Sequence, residues 1–146
     1  MDDKFITYLS EIELTEVLIS NVENTIRNIE NIFGEIVKDI FISQTPEGHD
    51  YRNIFAFLED RMVLVQNFKS SPEYHILTLK KTITYIKILP QNYEINKISD
   101  NSMLTINVNI AGSDFYLDPL FAKKKNCEYL FKIFQNYLLR NFFDVG

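Results

Sequence analysis

A chain of 146 residues with 20 acidic and 15 basic side chains, a net charge of −5 and 46% apolar residues fits one globular domain with its own core. The negative balance provides no basic stripe of the kind that tracks a phosphate backbone, which tells against nucleic acid as a partner. The single cysteine, Cys127, cannot form an internal disulfide, so a reducing, cytoplasmic compartment is expected.

No run approaches the ~18 apolar residues of a membrane span. The start, Met1-Asp2-Asp3-Lys4, lacks a charged leader followed by an apolar stretch, so no signal peptide is expected. A helix is predicted over 10–33. Leu14, Val17, Leu18, Val22, Ile26, Ile29, Ile32 and Phe33 recur at spacings of three and four, on one stripe. Ser10 or Thr15 suits its start and Gly34 its stop.

Strand-like patterning fills 36–117. A strand at 39–43 precedes a loop holding Pro46 and Gly48. Runs at 53–58 and 61–68, separated by Glu59-Asp60, read as a hairpin. Ser70-Ser71-Pro72 marks a turn before strands at 74–79 and 82–89, the latter ended by Pro90. The polar stretch 91–102 reads as an exposed loop. Leu104, Ile106, Val108 and Ile110 then alternate with Thr105, Asn107 and Asn109, as in a strand with one buried and one wet face. Residues 111–114 turn the chain, and Phe115 and Leu117 continue on a partner strand.

Asp118-Pro119 carries the signature of a helix start, and a helix to about Asn141 is predicted. Its core stripe is Cys127, Leu130, Phe131, Phe134, Tyr137, Leu138 and Phe142. Short sequential strands between helices define an α+β domain. An N-terminal helix is followed by a curled antiparallel sandwich or barrel of about seven strands, closed by a long C-terminal helix. Residues 1–34 form the helical extension and 35–146 the strand-rich unit.

No residues converge on catalysis, a metal or a cofactor. His49 and His75 are the only histidines, and neither has a second ligand at zinc spacing. His49 beside Glu47 and Asp50 reads as a solvated loop. Cys127 sits on an apolar stripe and reads as a buried structural thiol. The adjacent carboxylates Glu59 and Asp60 read as a wet turn, as does Asp100. Two surfaces are candidates for binding. Val22, Ile26, Ile29 and Phe33 can either pack on the chain's own sheet or dock on another chain. Lys80, Lys81, Lys123, Lys124 and Lys125 form the one basic cluster, suited to an anion or an anionic lipid, or else a wet helix face.

Three stretches resemble the bacterial pleckstrin-homology-like (PH-like) domains. Phe55-Ala-Phe-Leu-Glu-Asp-Arg-Met-Val-Leu-Val65 is similar to the family's hairpin of apolar strand, acidic turn, Arg and apolar strand. Ile83-Thr-Tyr-Ile-Lys-Ile88 stands in place of its central strand. Phe115-Tyr-Leu-Asp-Pro119 is similar to its junction into the last helix. The resemblance implies a non-catalytic platform for phosphoinositides, peptides or proteins, without implying which. The lipid-binding members use a basic first strand–strand loop. Here that loop, 44–51, carries Glu47 and Asp50 and no Lys or Arg, a departure that tells against inositol phosphates. The N-terminal helix lies outside the family pattern and suggests an added interaction element. The expectation is a module for an unidentified protein partner, a second copy of the chain included. The alternatives are an anionic-lipid-binding domain and a small phage- or mobile-element-encoded inhibitor of a host protein.

Overall fold

The computed structural model describes residues 2–44, 52–68, 71–90, 98, 102–119 and 123–143. Two helices open the chain where one was predicted: α1 (Asp3–Glu11) and α2 (Glu16–Phe33). Between them Glu13 takes a positive φ of 61°, which no continuous helix tolerates. The Asp2 side chain caps α1, accepting from Lys4 N at 3.0 Å. Phe5, Tyr8, Leu9 and Ile12 bury one stripe of it. Thr15, not Ser10, caps α2, and Gly34 ends it at a φ of 68° with its N–H on the Glu30 carbonyl.

Strands β1 (Asp39–Gln44), β2 (Arg52–Phe57), β3 (Arg61–Gln66) and β4 (Glu73–Thr78) form one antiparallel sheet in chain order. Strands β5 (Ile83–Pro90), β6 (Leu104–Ile110) and β7 (Ser113–Leu117) form a second. The β6–β7 turn places Ala111 at φ 52° and Gly112 at φ 91°, the paired positive angles of a tight two-residue hairpin. The sheets do not close into a barrel, so the architecture is α+β with two open antiparallel sheets and a long C-terminal helix.

Strands β1–β3 of the four-stranded sheet are buried on both faces, whereas β4 is largely exposed. Ile40, Ile42, Ile54, Ala56, Val63 and Val65 meet the stripes of α1 and α2. Phe41, Phe55, Phe57, Met62 and Leu64 meet the apolar face of β6 and the C-terminal helix. That double burial explains why β2 and β3 read as nearly continuous apolar runs. It also settles where the N-terminal stripe goes: Val22, Ile26 and Ile29 are fully buried against the chain's own sheet, and Phe33 packs partly against the same core. For Val22, Ile26 and Ile29 this corrects the docking alternative, since their apolar area is covered by the chain itself, whereas Phe33 stays partly exposed.

The last helix begins at Lys123 (α3, Lys123–Ile133), widens into a π-helical turn over Phe134–Leu139, and finishes as α4 (Arg140–Phe142). The step from Asp118-Pro119 into this helix, residues 120–122, lies outside the described residues. Asp118 N donates to Ser43 Oγ at 2.9 Å, tying this junction to β1. Ile133 joins the buried stripe. The wet face expected on β6 also differs: Asn107 and Asn109 are buried. Asn109 Nδ2 donates to Asp114 Oδ1 at 3.0 Å, and Tyr85 OH donates to the same oxygen at 2.7 Å. These bonds hold the Asp114 carboxyl below its usual range and push the Tyr85 phenol up. Asn107 Oδ1 is buried with no hydrogen-bond partner.

One buried polar hub joins three elements. Tyr8 OH donates to Asn126 Oδ1 at 2.7 Å and accepts from Ile42 N at 2.8 Å. Asn126 Nδ2 donates to the Ile42 carbonyl at 2.9 Å. Helix α1, strand β1 and helix α3 thus share a closed triangle of bonds. Tyr8→Phe strands the Ile42 N–H and the Asn126 side-chain oxygen, so a loss of about 2–6 kcal/mol is expected, at about 1–3 kcal/mol for each unpaired buried group. Urea unfolding measures it. The Tyr8→Phe/Asn126→Leu double variant should lose less than the sum of the two single variants.

Candidate functional site

A cleft of about 680 Å³ lies at one end of the two-sheet stack, lined by Glu35, Glu59, Asp60, Arg61, Thr78, Lys80, Arg140 and Asn141. Three connections build it: the segment after α2, the β2–β3 turn and the β4–β5 turn. The end of the C-terminal helix closes it. A second recess of about 490 Å³ shares Glu59 and Arg140 and adds Lys38, Gln135, Asn136 and Tyr137.

The charges in the cleft are mostly matched. Arg61 pairs with Glu35, lies 3.8 Å from Asp60, and sits 4.7 Å from the centre of the Phe33 ring. Lys38 meets Glu59 at 3.5 Å. All three acids are thereby engaged, whereas Arg140 forms no ion pair among the described residues. The π turn sets Arg140 in place. Asn141 Nδ2 donates to the Tyr137 carbonyl at 2.7 Å, holding the widened turn shut beneath it.

Tyr137 anchors the floor. Its OH donates to Asp39 Oδ2 at 2.5 Å, and Asp39 also faces Lys4 at 3.5 Å and Lys132 at 4.0 Å. Burial and then the Asp39 carboxylate push the Tyr137 phenol well above the ordinary tyrosine value. Tyr129, whose OH donates to Glu11 at 3.2 Å, is pushed up to about 12 by burial and that carboxylate. Tyr8 is raised by burial, against the opposing Ile42 N–H bond. Among the described residues, neither His75 nor Cys127 lines the cleft. His75 is exposed on β4, 3.6 Å from Glu73. Cys127 is buried 3.3 Å from Met103 Sδ, and burial pushes its thiol up. His49, Glu47, Asp50 and Asp100 lie outside the described residues. The cleft offers fixed donors and acceptors, the equipment of recognition.

The basic cluster does not assemble as one patch. Lys80 and Lys81 are exposed on the β4–β5 turn, and Lys80 lines the cleft beside Arg140. Lys125 lies at the other end of the C-terminal helix, 4.0 Å from Glu128. The rise between positions 125 and 140 is about 22 Å at ~1.5 Å per residue. The side chains of Lys123 and Lys124 lie outside the described residues. The cleft itself had no sequence signal, because its members come from positions 35, 59–61, 78–80 and 140–141.

No family model matches the chain, and neither a curated protein nor a solved structure matches it. Among the described residues no helix is long and apolar enough to cross a membrane.

The tyrosines predict an alkaline response. Their folded-state phenols titrate above the unfolded value of about 10, so the folded state retains protons that the unfolded state releases. Stability should be level below about pH 10 and fall as pH rises beyond it. Urea midpoints taken across that range measure the fall, and Tyr137→Phe should make it shallower.

Proposed function

We propose that this chain is a non-catalytic binding module of PH-like architecture that docks a protein partner carrying an acidic group in the charged cleft. The PH-like reading is supported by element order. A four-strand antiparallel meander and a three-strand one precede a long terminal helix. In this reading the two sheets curl toward each other at the β1–β7 corner, and α1 and α2 back the first sheet.

The observation that carries the binding role is the charge arrangement around Arg140. Glu35, Asp60 and Glu59 are engaged by Arg61 and Lys38, which leaves Arg140 as the cation offered to a visitor, with Lys80 on the same wall. A guanidinium at such a site takes a carboxylate in two parallel hydrogen bonds. The neighbouring pairs fix the walls and disfavour a partner of the wrong charge pattern. A polar cleft of this kind, with Tyr137 held protonated and no thiol or imidazole among the described residues of its lining, suits recognition over bond-making chemistry. The lipid alternative draws less support, because Lys80 and Lys81 stand apart from Lys125. A host-protein inhibitor is one special case of the module proposed here.

The test is a capture experiment from the producing cells with three baits. The wild type should retain a protein that Arg140→Glu loses. Arg27→Glu alters an exposed cation on α2, paired with Glu23 at 3.3 Å and remote from the cleft, and it should retain that protein. Equal retention by wild type and Arg140→Glu, or no retention by the wild type, rejects the cleft as the docking site.

A further inference from the structure

The four strand edges of the two sheets are treated unequally. On β1, Ile42 N–H and C=O are capped by Tyr8 and Asn126. On β7, the Tyr116 carbonyl accepts from Ser43 Oγ at 3.3 Å. Strand β5 carries a register break near Ile83, a lysine at 87 and a proline at 90, each a known obstacle to edge pairing. Strand β4 has no such break, lysine or proline, and its one backbone cap among the described residues is at its end, where Thr82 Oγ1 donates to the Thr78 carbonyl. It pairs with β3 on one side in unbroken register. Its six residues, Glu-Tyr-His-Ile-Leu-Thr, include no lysine, proline or bulge. His75 and Ile76 are exposed at its centre, Ile76 by 52%.

The helix above extends the same apolar strip. Asn28 Nδ2 donates to Tyr74 OH at 3.1 Å, so this flank of α2 overlies β4. Ile32, one turn further along that flank, is exposed by 57%.

We infer that β4 is a self-association edge, on which a second copy of this chain pairs antiparallel to make one continuous sheet through the dimer. This goes beyond the cleft reading and does not depend on it. Opposed residues in a continuous antiparallel sheet share a face, so the twofold axis runs between one residue and its own copy. Charge and apolar character choose Ile76 for that place. The two Ile76 side chains then meet on the axis, flanked by the two Ile32 side chains. Tyr74 falls opposite Thr78 of the second copy. Glu73 falls opposite Leu79, beside Lys80 and Lys81, so each end of the paired strand joins an acid to a basic turn. An axis through His75 would instead set two imidazoles against each other and carry Glu73 onto Leu77, without that match. The paired surface is isologous and closes after two copies. One strand edge with a few apolar side chains is a small interface, so the dimer should dissociate on dilution.

Sedimentation velocity over a concentration series tests it on the full chain. The wild type should shift with rising concentration from the 17.2 kDa monomer toward twice that mass. Ile76→Lys alters a half-exposed side chain and should stay monomeric, with an unchanged circular dichroism spectrum and thermal midpoint. Glu73→Lys should weaken the dimer at least tenfold, and Glu73→Lys/Lys80→Glu should recover it. A wild type that stays monomeric at every concentration overturns the inference. A dimer indifferent to Ile76→Lys overturns it equally, as does failure of the charge swap to recover association. Cleft docking survives each of those results, because it is read in the capture experiment with Arg140→Glu.

Discussion

The backbone of Ile42 is the constraint on which the rest of this fold turns. An edge strand with a buried outer side must find partners there for its N–H and C=O, since an unpaired amide in a dry core costs about 1–3 kcal/mol. Two side chains far apart in sequence meet that need. Tyr8 comes from α1 and Asn126 from the start of α3, and they also bond to each other. Three residues along, Asp39 repeats the arrangement with charge, facing Lys4, Lys132 and the Tyr137 hydroxyl. Strand β1 is thus held from both sides along its length. Both terminal helices take their places from the same strand, so the end of the C-terminal helix, with Arg140, is set by contacts made near its beginning.

That arrangement accounts for which parts of the fold are legible in the sequence. Features governed by neighbours in the chain are readable: the Thr15 cap, the Gly34 stop, the β2–β3 hairpin at Glu59-Asp60 and the alternation through Leu104–Ile110. Features governed by distant partners are not. The bond from the Asp118 N–H to Ser43, which ties the junction before the last helix to β1, has no local signature. Asn107 and Asn109 alternate like solvent-facing residues, but the side chains around Tyr85 and Asp114 cover that face. Helix α1 is an intermediate case. Phe5, Tyr8, Leu9 and Ile12 have helical spacing, but the run is too short to hold a helix in water without the sheet beneath it.

The cleft is illegible for a related reason. Its charges lie at the tips of connections that meet only after both sheets have stacked. Ion pairs on such a rim add little to stability, about 0–1 kcal/mol each when exposed. Their consequence is geometric: Arg61, fixed by Glu35, Asp60 and the Phe33 ring, is a rigid wall instead of a mobile probe. Arg140 differs in lacking such a counter-ion among the described residues. A guanidinium left in that position, on a turn widened by a π-helical segment, is poised for a visiting carboxylate in a way the paired cations are not.

The two margins of the four-stranded sheet follow the same physical rule with opposite outcomes. Both expose a row of amides that water or protein must satisfy. At β1 the chain itself supplies a phenol, an amide and a hydroxyl, and in doing so fastens its helices and its second sheet. At β4 the contacts are local: Asn28 donates to the Tyr74 phenol, Glu73 lies beside His75, and Thr82 Oγ1 donates to the Thr78 carbonyl at the end of the strand. A fold that covers one margin so thoroughly has the means to cover the other. The β4 edge, capped at Thr78 alone among the described residues and with Ile76 exposed at its centre and opposite charges at its ends, has the surface chemistry of a contact completed by another chain.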